Sequence, residues 1–260
     1  MPYFKQLETA KFAAKEAGKI LLENFSKPYE IKQKGERKEF VTEIDLKSEK
    51  RILSILKKEF PEHSILSEEA GEQKKKSEFT WFVDPLDGTT NYKIKNPFFN
   101  VSIGLAKGNS VIVGVVYSPF LDELFYSEIG KGAFLNGKKI HVSGRSDIKS
   151  SVIGFCHSGR KPEFVDRGIK IFSVLKKLSS HTRQFGAAAL EFCYLAAGRI
   201  DVFEVSNANS YDVAAGALIA KEAGATITDF KGGYWDLSSE DILVTNGKLH
   251  KEVIDSICKL

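Results

Sequence analysis

The chain has 260 residues, 42% hydrophobic and 28% charged, enough for a sizeable apolar core in one large domain or two lobes. A net charge of +4 is mild for this length, and the lysine run 74–76 reads as a solvated loop, so nucleic-acid binding is not indicated. Cys156, Cys193 and Cys258 lie far apart and no apolar run reaches membrane-spanning length; this argues against a disulfide framework, a zinc site or a membrane span and points to a reducing, cytoplasmic setting.

Residues 3–26 read as an amphipathic helix with Phe4, Leu7, Ala14, Ala17, Leu21 and Phe25 along one face, stopped by Pro28. A polar, lysine-rich segment containing Lys34 follows. Thr42 and Asp45 then fit a capping box for a second helix that carries Ile44, Ile52, Ile55 and Leu56 inward and ends at Pro61. Residues 64–66 read as a short strand leading to Glu68 and Glu69, a pair that by itself begins a solvated loop.

Residues 79–83 read as a buried strand that stops at the string Asp84-Pro85-Leu86-Asp87-Gly88-Thr89-Thr90-Asn91, where Pro85 and Gly88 bend the backbone. Two readings of this string are open. It is an Asx-type turn with Asp87 capping the next helix, or Asp84, Asp87 and the Leu86 carbonyl are hard oxygen donors for a divalent cation. In the second reading the helix start after Gly88 offers N–H groups to a phosphate, and the chemistry is a Mg²⁺-assisted phosphoryl reaction.

Three strands at 100–106, 111–117 and 123–126 form an antiparallel meander. Gly132 to Lys138 matches the opening of a P-loop, but Lys139 stands where Ser or Thr would hold Mg²⁺, and Phe134 and Leu135 are too bulky for a phosphate cradle. Asn136-Gly137 is instead a hairpin turn. A lobe boundary is expected near residue 146 of a single 1–260 domain. Beyond it, strands at 151–155, 200–205, 225–229 and 241–245 alternate with helices at 163–178, 187–197, 212–223 and from 248. Gly186-Ala187-Ala188-Ala189 opens a helix with small residues, for close approach of a ligand or for close packing. Asp212, in Tyr211-Asp212-Val213-Ala214-Ala215-Gly216, is an N-cap or a ligand.

The 84–91 string resembles the signature Asp-Pro-x-Asp-Gly-Thr-x-Asn of the inositol monophosphatase family of Mg²⁺-dependent, lithium-sensitive phosphatases. Val41-Thr42 with Asp45, the Glu68-Glu69 pair, the Gly-x-Gly-Ala-Phe-x-Asn-Gly stretch and Tyr211–Gly216 (Trp is usual at the first place) resemble its other elements. The resemblance implies an α/β (α+β) fold, the layered α-β-α-β-α sandwich of the inositol monophosphatase/fructose-1,6-bisphosphatase type. It implies two or three Mg²⁺ ions on Glu68, Asp84, the Leu86 carbonyl, Asp87 and Asp212, with Glu69 behind them and Lys34 nearby. Asp45, Thr89 and Glu68 would be catalytic, the first two holding the attacking water.

Asp87, Gly88, Thr89, Thr90, Gly186, Ala188, Glu204 and Asp212 would meet the substrate. Glu204 would accept a ring hydroxyl; the alternative is a solvated strand-end carboxylate, and the 205–210 segment is one residue longer than in the inositol-specific relatives. The implied protein is a homodimer that hydrolyses a small phosphate ester, inositol-1-phosphate. Fructose 1,6-bisphosphate, a nucleotide 3′-phosphate and an accessory role in an RNA or transcription complex stand as alternatives.

Overall fold

A computed structural model of the chain describes residues 2–27, 31–34, 39–157 and 162–259. The side chains of residues 31–34, 39–42, 157 and 162–164 lie outside that description, and with them those of Lys34 and Thr42.

Helix α1 (Phe4–Phe25) turns Leu7, Ala10, Ala13, Ala14, Ala17 and Leu21 inward. A hairpin of β1 (Ile31–Lys34) and β2 (Glu39–Thr42), hidden by its lysine-rich composition, leads into α2 (Glu43–Glu59). Next come β3 (Ser64–Ser67), β4 (Gly71–Gln73), β5 (Phe79–Asp87) and the short α3 (Thr89–Lys93). The meander follows as β6 (Asn100–Lys107), β7 (Ser110–Ser118) and β8 (Glu123–Glu128). It closes with β9 (Ala133–Leu135) and β10 (Lys138–Ile140), paired across the Asn136-Gly137 turn, where both residues have the positive φ that such a hairpin requires. These strands form one eight-stranded sheet, ordered β10-β9-β8-β7-β6-β5-β3-β4 and antiparallel except between β3 and β5.

The second half runs β11 (Val152–His157), α4 (Pro162–Leu178), β12 (His181–Arg183), α5 (Ala188–Ala196) and β13 (Val202–Ser206), then α6 (Ser210–Glu222), β14 (Thr226–Thr228), β15 (Asp241–Thr245) and α7 (His250–Ile257). Its five strands, in the order β12-β11-β13-β15-β14, make a mixed sheet.

The layers follow from which face each strand buries. Trp81 and Val83 of β5 join the core under α1 and α2, while Phe82 between them packs on Ala214 and Leu218 of α6. On the second sheet, Phe203 and Val205 pack with α5 and α6, and Val202 with α4 and α7. The order is α1/α2, eight-stranded sheet, α5/α6, five-stranded sheet, α4/α7, the α-β-α-β-α sandwich that the resemblance implied. Each fully buried Leu, Ile or Phe in these layers contributes about 1.5–3 kcal/mol, and the central α5/α6 pair is held by apolar contacts on both of its sides. No helix among the described residues is long and apolar enough to cross a membrane.

Two sequence expectations change. Strand β5 does not stop at Val83 but continues to Asp87 through an irregularity. Helix α6 starts at Ser210 rather than Asp212, because Asn209 takes the N-cap.

Candidate active site

Strand β3 ends at the site against β5, which runs parallel to it and continues to Asp87. Ser67 of β3 is in register with Val83 of β5, and the Glu68 N–H donates to the Val83 carbonyl at 3.1 Å. Glu68, just past the end of β3, and Asp84, the next residue of β5, therefore stand side by side.

The irregularity in β5 sets the face on which its carboxylates lie. Asp84 is opposite Ser102 and Asp87 opposite Asn100, so β5 spends one residue more than β6 over this stretch. In a regular strand, residues three apart point to opposite faces. The extra residue restores the parity and puts Asp84 and Asp87 on the same face, the one covered by α5 and α6. Pro85, having no N–H, is tolerated at such a bulge; its carbonyl accepts the Ser48 hydroxyl of α2 at 2.8 Å. Asp84 Oδ1 accepts the Leu86 N–H at 3.0 Å, so the Asx-turn reading of this string holds alongside any other role.

Asp87 does not cap α3, whose N-cap is Gly88 with φ +88°. It caps α5 instead: Oδ1 accepts the Ala188 N–H at 3.1 Å, and Oδ2 accepts the Ala189 N–H at 2.8 Å and the Asn100 amide at 2.7 Å. The positive end of a helix holds this carboxylate in place. The Thr89 hydroxyl lies 3.1 Å from the Leu86 carbonyl and 3.4 Å from Asp45 Oδ1, so two acceptors compete for one proton.

Asp212 reaches the site because α6 lies unusually close to the first sheet. Gly104 and Gly114 are cross-strand partners, and a Cβ on either would stand 3.0 Å from Ala214 Cβ or 2.6 Å from the Ala215 carbonyl oxygen. The small residues after Asp212 are required by that contact. Asp212 is third in the helix, and its Oδ2 accepts the Asn209 N–H at 3.2 Å and the Asn209 amide at 3.0 Å.

The electrostatics tie these groups together. Burial, then the charge of Asp212, pushes the Glu68 carboxyl up to about 8, although a hydrogen bond with Asp84 opposes the rise. Burial, followed by the charges of Glu68, Asp87 and Asp212, holds Asp84 well above the usual range. Burial also raises Asp87, against its hydrogen bonds from Asn100 and α5. Among the described residues no three acidic, histidine or cysteine side chains stand in ready-made coordination geometry. The donor set fits a hard divalent cation such as Mg²⁺ on other grounds: it is all oxygen, and its carboxylates repel one another in a buried space where a cation would reverse the penalty.

Three further sequence candidates are placed differently from expectation. The Gly186 N–H donates to Glu191 at 3.1 Å and the Ala188 N–H to Asp87, so these two backbone donors, expected to face a substrate, have protein acceptors instead. Glu204 is 1% exposed, which rules out the solvated strand end. It alternates with Phe203 and Val205 and so lies on the α4 side of its sheet, where its Oε2 accepts the Ser206 hydroxyl at 3.1 Å. Burial pushes Glu204 up to about 8, with Asp241 reinforcing and Arg167 opposing. Thr90 is exposed, and Gly88 packs against Ala187.

Several residues that hold the site carried no assignment from sequence. Asn91 donates to the carbonyls of Phe98 at 2.8 Å and Phe185 at 2.7 Å, stapling the signature to the turn before α5. Glu49 sits one helical turn after Asp45 on α2. Its Oε1 accepts the Ser67 hydroxyl and the N–H groups of Glu69 at 3.1 Å and Ala70 at 2.9 Å, which orients the turn carrying Glu68. The i, i+4 spacing of Asp45 and Glu49 was the available signal. Glu49→Ala leaves two partly buried N–H groups without that acceptor, so a loss of about 2–4 kcal/mol in unfolding free energy is expected. Denaturant titration checks this; an unchanged midpoint refutes it.

A five-layer molecule with hard oxygen donors gathered beside a Thr–Asp pair defines a phosphoric monoester hydrolase. The model of the inositol monophosphatase family matches residues 5–260, and the chain belongs to that family, whose members generally depend on Mg²⁺. Inositol monophosphatase 3 of Solanum lycopersicum is 41% identical over 258 residues, 96% of each chain. A protein of Aquifex aeolicus named fructose-1,6-bisphosphatase/inositol-1-monophosphatase is 38% identical over 252 residues, 96% of this chain and 94% of the relative. The crystal structure of the extragenic suppressor protein suhB from Bartonella henselae superposes with a TM-score of 0.92 at 34% identity, covering 98% of this chain and 99% of that one.

Proposed function

We infer that the protein hydrolyses inositol-1-phosphate to myo-inositol and inorganic phosphate. The observation that carries the chemistry is the meeting of Glu68, Asp84, Asp87 and Asp212 beside the Thr89–Asp45 pair. Glu68, Asp84, the Leu86 carbonyl, Asp87 and Asp212 would hold two or three Mg²⁺ ions. When bound, Mg²⁺ supplies Lewis acidity for the attacking water and for the oxygen that departs.

The remaining work belongs to the chain. Asp45 Oδ1 and the Thr89 hydroxyl orient a water, and Asp45 takes up its proton. The water oxygen bonds to phosphorus as the ester P–O bond opposite breaks, the departing alcohol oxygen takes a proton from solvent water, and Asp45 returns its proton to solvent, with no covalent enzyme intermediate. N–H groups from Gly88 to Thr90 hold the phosphate oxygens. The whole chain, 1–260, works as one unit: its second part, from about 147, contributes Asp212 and α5 to a site otherwise built by the first. A homodimer, a cytoplasmic location and inhibition by Li⁺ complete the reading and rest on the family resemblance.

Release of phosphate from inositol-1-phosphate, fructose 1,6-bisphosphate, a nucleoside 3′-phosphate and p-nitrophenyl phosphate, with and without Mg²⁺, tests the reading. The highest kcat/KM is expected on inositol-1-phosphate; a higher value on another ester reassigns the substrate, and no Mg²⁺-dependent release from any ester ends it. Glu204, which the resemblance makes the specificity residue, is buried on the α4 side of its sheet, across that sheet from the carboxylates. Glu204→Ala is therefore expected to lower kcat/KM for inositol-1-phosphate and for p-nitrophenyl phosphate by similar factors. A loss of about 10-fold or more confined to inositol-1-phosphate would instead make Glu204 the group that selects the substrate.

A further inference from the structure

The N-terminus of α5 is served by two carboxyl groups, and only one of them belongs to the signature. Asp87 arrives from β5. The other is Glu191, from the first turns of α5 itself, which is fully buried. Its Oε1 accepts the Gly186 N–H at 3.1 Å, and the backbone at Phe185 and Ala187 also hydrogen-bonds to its carboxyl.

That turn has little freedom. Gly186 has φ +80°, and the space where its Cβ would stand is bounded by the Asn91 amide at 3.4 Å. Asn91 holds the Phe185 carbonyl, while Gly88 packs at 3.1 Å on Ala187, measured from an ideal Cβ. The 185–187 turn, Asn91 and the Asp87–Gly88 corner thus form one packed unit, with Glu191 as the acceptor at its back.

The unusual feature is the other oxygen. Glu191 Oε2 is buried without a hydrogen-bond partner, beside Gly154, where a Cβ would come within 2.9 Å of it. Burial pushes this carboxyl well above its usual range, and the nearby Asp87 adds to the rise. A buried polar oxygen without a partner destabilises the fold, and a methionine of similar length would fill the same volume without that penalty. Packing alone therefore gives no reason for a carboxyl here, whereas an acceptor for the turn does.

We propose that Glu191 is a positioning residue of the active site, holding the Phe185–Ala187 turn so that the first N–H groups of α5 fix the Asp87 carboxylate. The proposal rests on the phosphatase reading above for its catalytic consequence, but not for its structural one.

The test compares E191Q, which keeps an acceptor oxygen for Gly186, with E191M, which keeps the volume and removes the acceptor, both in the full chain. Three measurements are made: steady-state kinetics (kcat and KM) with p-nitrophenyl phosphate, the Mg²⁺ concentration for half-maximal activity, and amide hydrogen exchange at Gly186 and Ala187. E191M is expected to exchange about 10-fold or more faster at these two amides and to lose about 10- to 100-fold in kcat, since a displacement near 1 Å at a reacting centre has effects of that order. Its half-maximal Mg²⁺ concentration is expected to rise. E191Q is expected to stay within about threefold of the parent in all three, the rescue that an acceptor role requires.

If E191M matches the parent in exchange and kcat, Glu191 only fills space and the proposal is overturned. If E191Q is as damaged as E191M, the charge or proton of the carboxyl is what matters and the acceptor role fails. If the parent itself shows no Mg²⁺-dependent hydrolysis, the phosphatase reading fails, and the exchange data still decide whether Glu191 holds the turn.

Discussion

Asp87→Asn is expected to lower kcat/KM by roughly 10²- to 10³-fold, corresponding to about 3–4 kcal/mol of lost transition-state stabilisation. Asp87 uses both oxygens, Oδ1 for the Ala188 N–H and Oδ2 for the Ala189 N–H and the Asn100 amide. An asparagine amide offers one acceptor, so one of those donors would face an NH₂ group. The substitution thus removes a negative charge from the donor set and loosens the α5 N-terminus in one step. Chelation is the companion experiment: metal-stripped protein in excess EDTA is expected to release no phosphate above background. Full turnover there would end the metal-dependent reading.

The same carboxylates give a stability test that needs no substrate. Glu68 is raised from 4.5 to about 8, and Asp84 is raised as well. A carboxyl with a raised folded-state pKa binds more protons folded than unfolded between the two values. Its contribution to stability is complete below the unfolded pKa and is lost as pH rises through the folded one. The metal-stripped protein is therefore expected to lose Tm between pH 7 and 8.5. His63 and His250, which burial holds below their usual 6.5, have the opposite sign, but their effect is confined to pH below about that value and stays outside this window. Glu204 shares the sign of Glu68, so only the part of the loss that added Mg²⁺ suppresses belongs to the site. A Tm that rises from pH 7 to 8.5 in EDTA would contradict the raised carboxylates.

Thr89→Ala and Asp45→Asn are each expected to cost about 10²- to 10⁴-fold in kcat, the range for groups that position and deprotonate a nucleophile. Together they should cost little more than the worse of the two. The reason is geometric: the Thr89 hydroxyl stands 3.4 Å from Asp45 Oδ1 and 3.1 Å from the Leu86 carbonyl. With either residue replaced, the water loses one of the two groups that fix it, and the other cannot place it alone. Groups acting on one water as a unit are non-additive. Multiplying losses in the double variant would show that the two residues serve separate steps.

What the sequence by itself determined is everything that depends on neighbours along the chain. The apolar periodicity of α1 and α2 followed from which residues face inward at helical spacing, and the Asn136-Gly137 hairpin from the positive φ that those residues tolerate. The meander β6–β8 was legible from alternation and turn residues, and the 84–91 string from its local chemistry. Tertiary structure decided the rest. Nothing local shows that β5 carries an extra residue against β6, yet that residue decides whether Asp84 and Asp87 share a face. Nor does composition show that β3 and β5 are parallel in a register that sets Glu68 beside Asp84. The bonds from Asp87 to the N–H groups of Ala188 and Ala189, the hold of Glu49 on the turn after Ser67, and the burial of Glu204 on the α4 side join segments far apart in sequence. Most of those contacts use backbone N–H and carbonyl groups, which every residue type but proline supplies alike. Such groups leave no mark in the sequence, and only the packed layers select which of them meet.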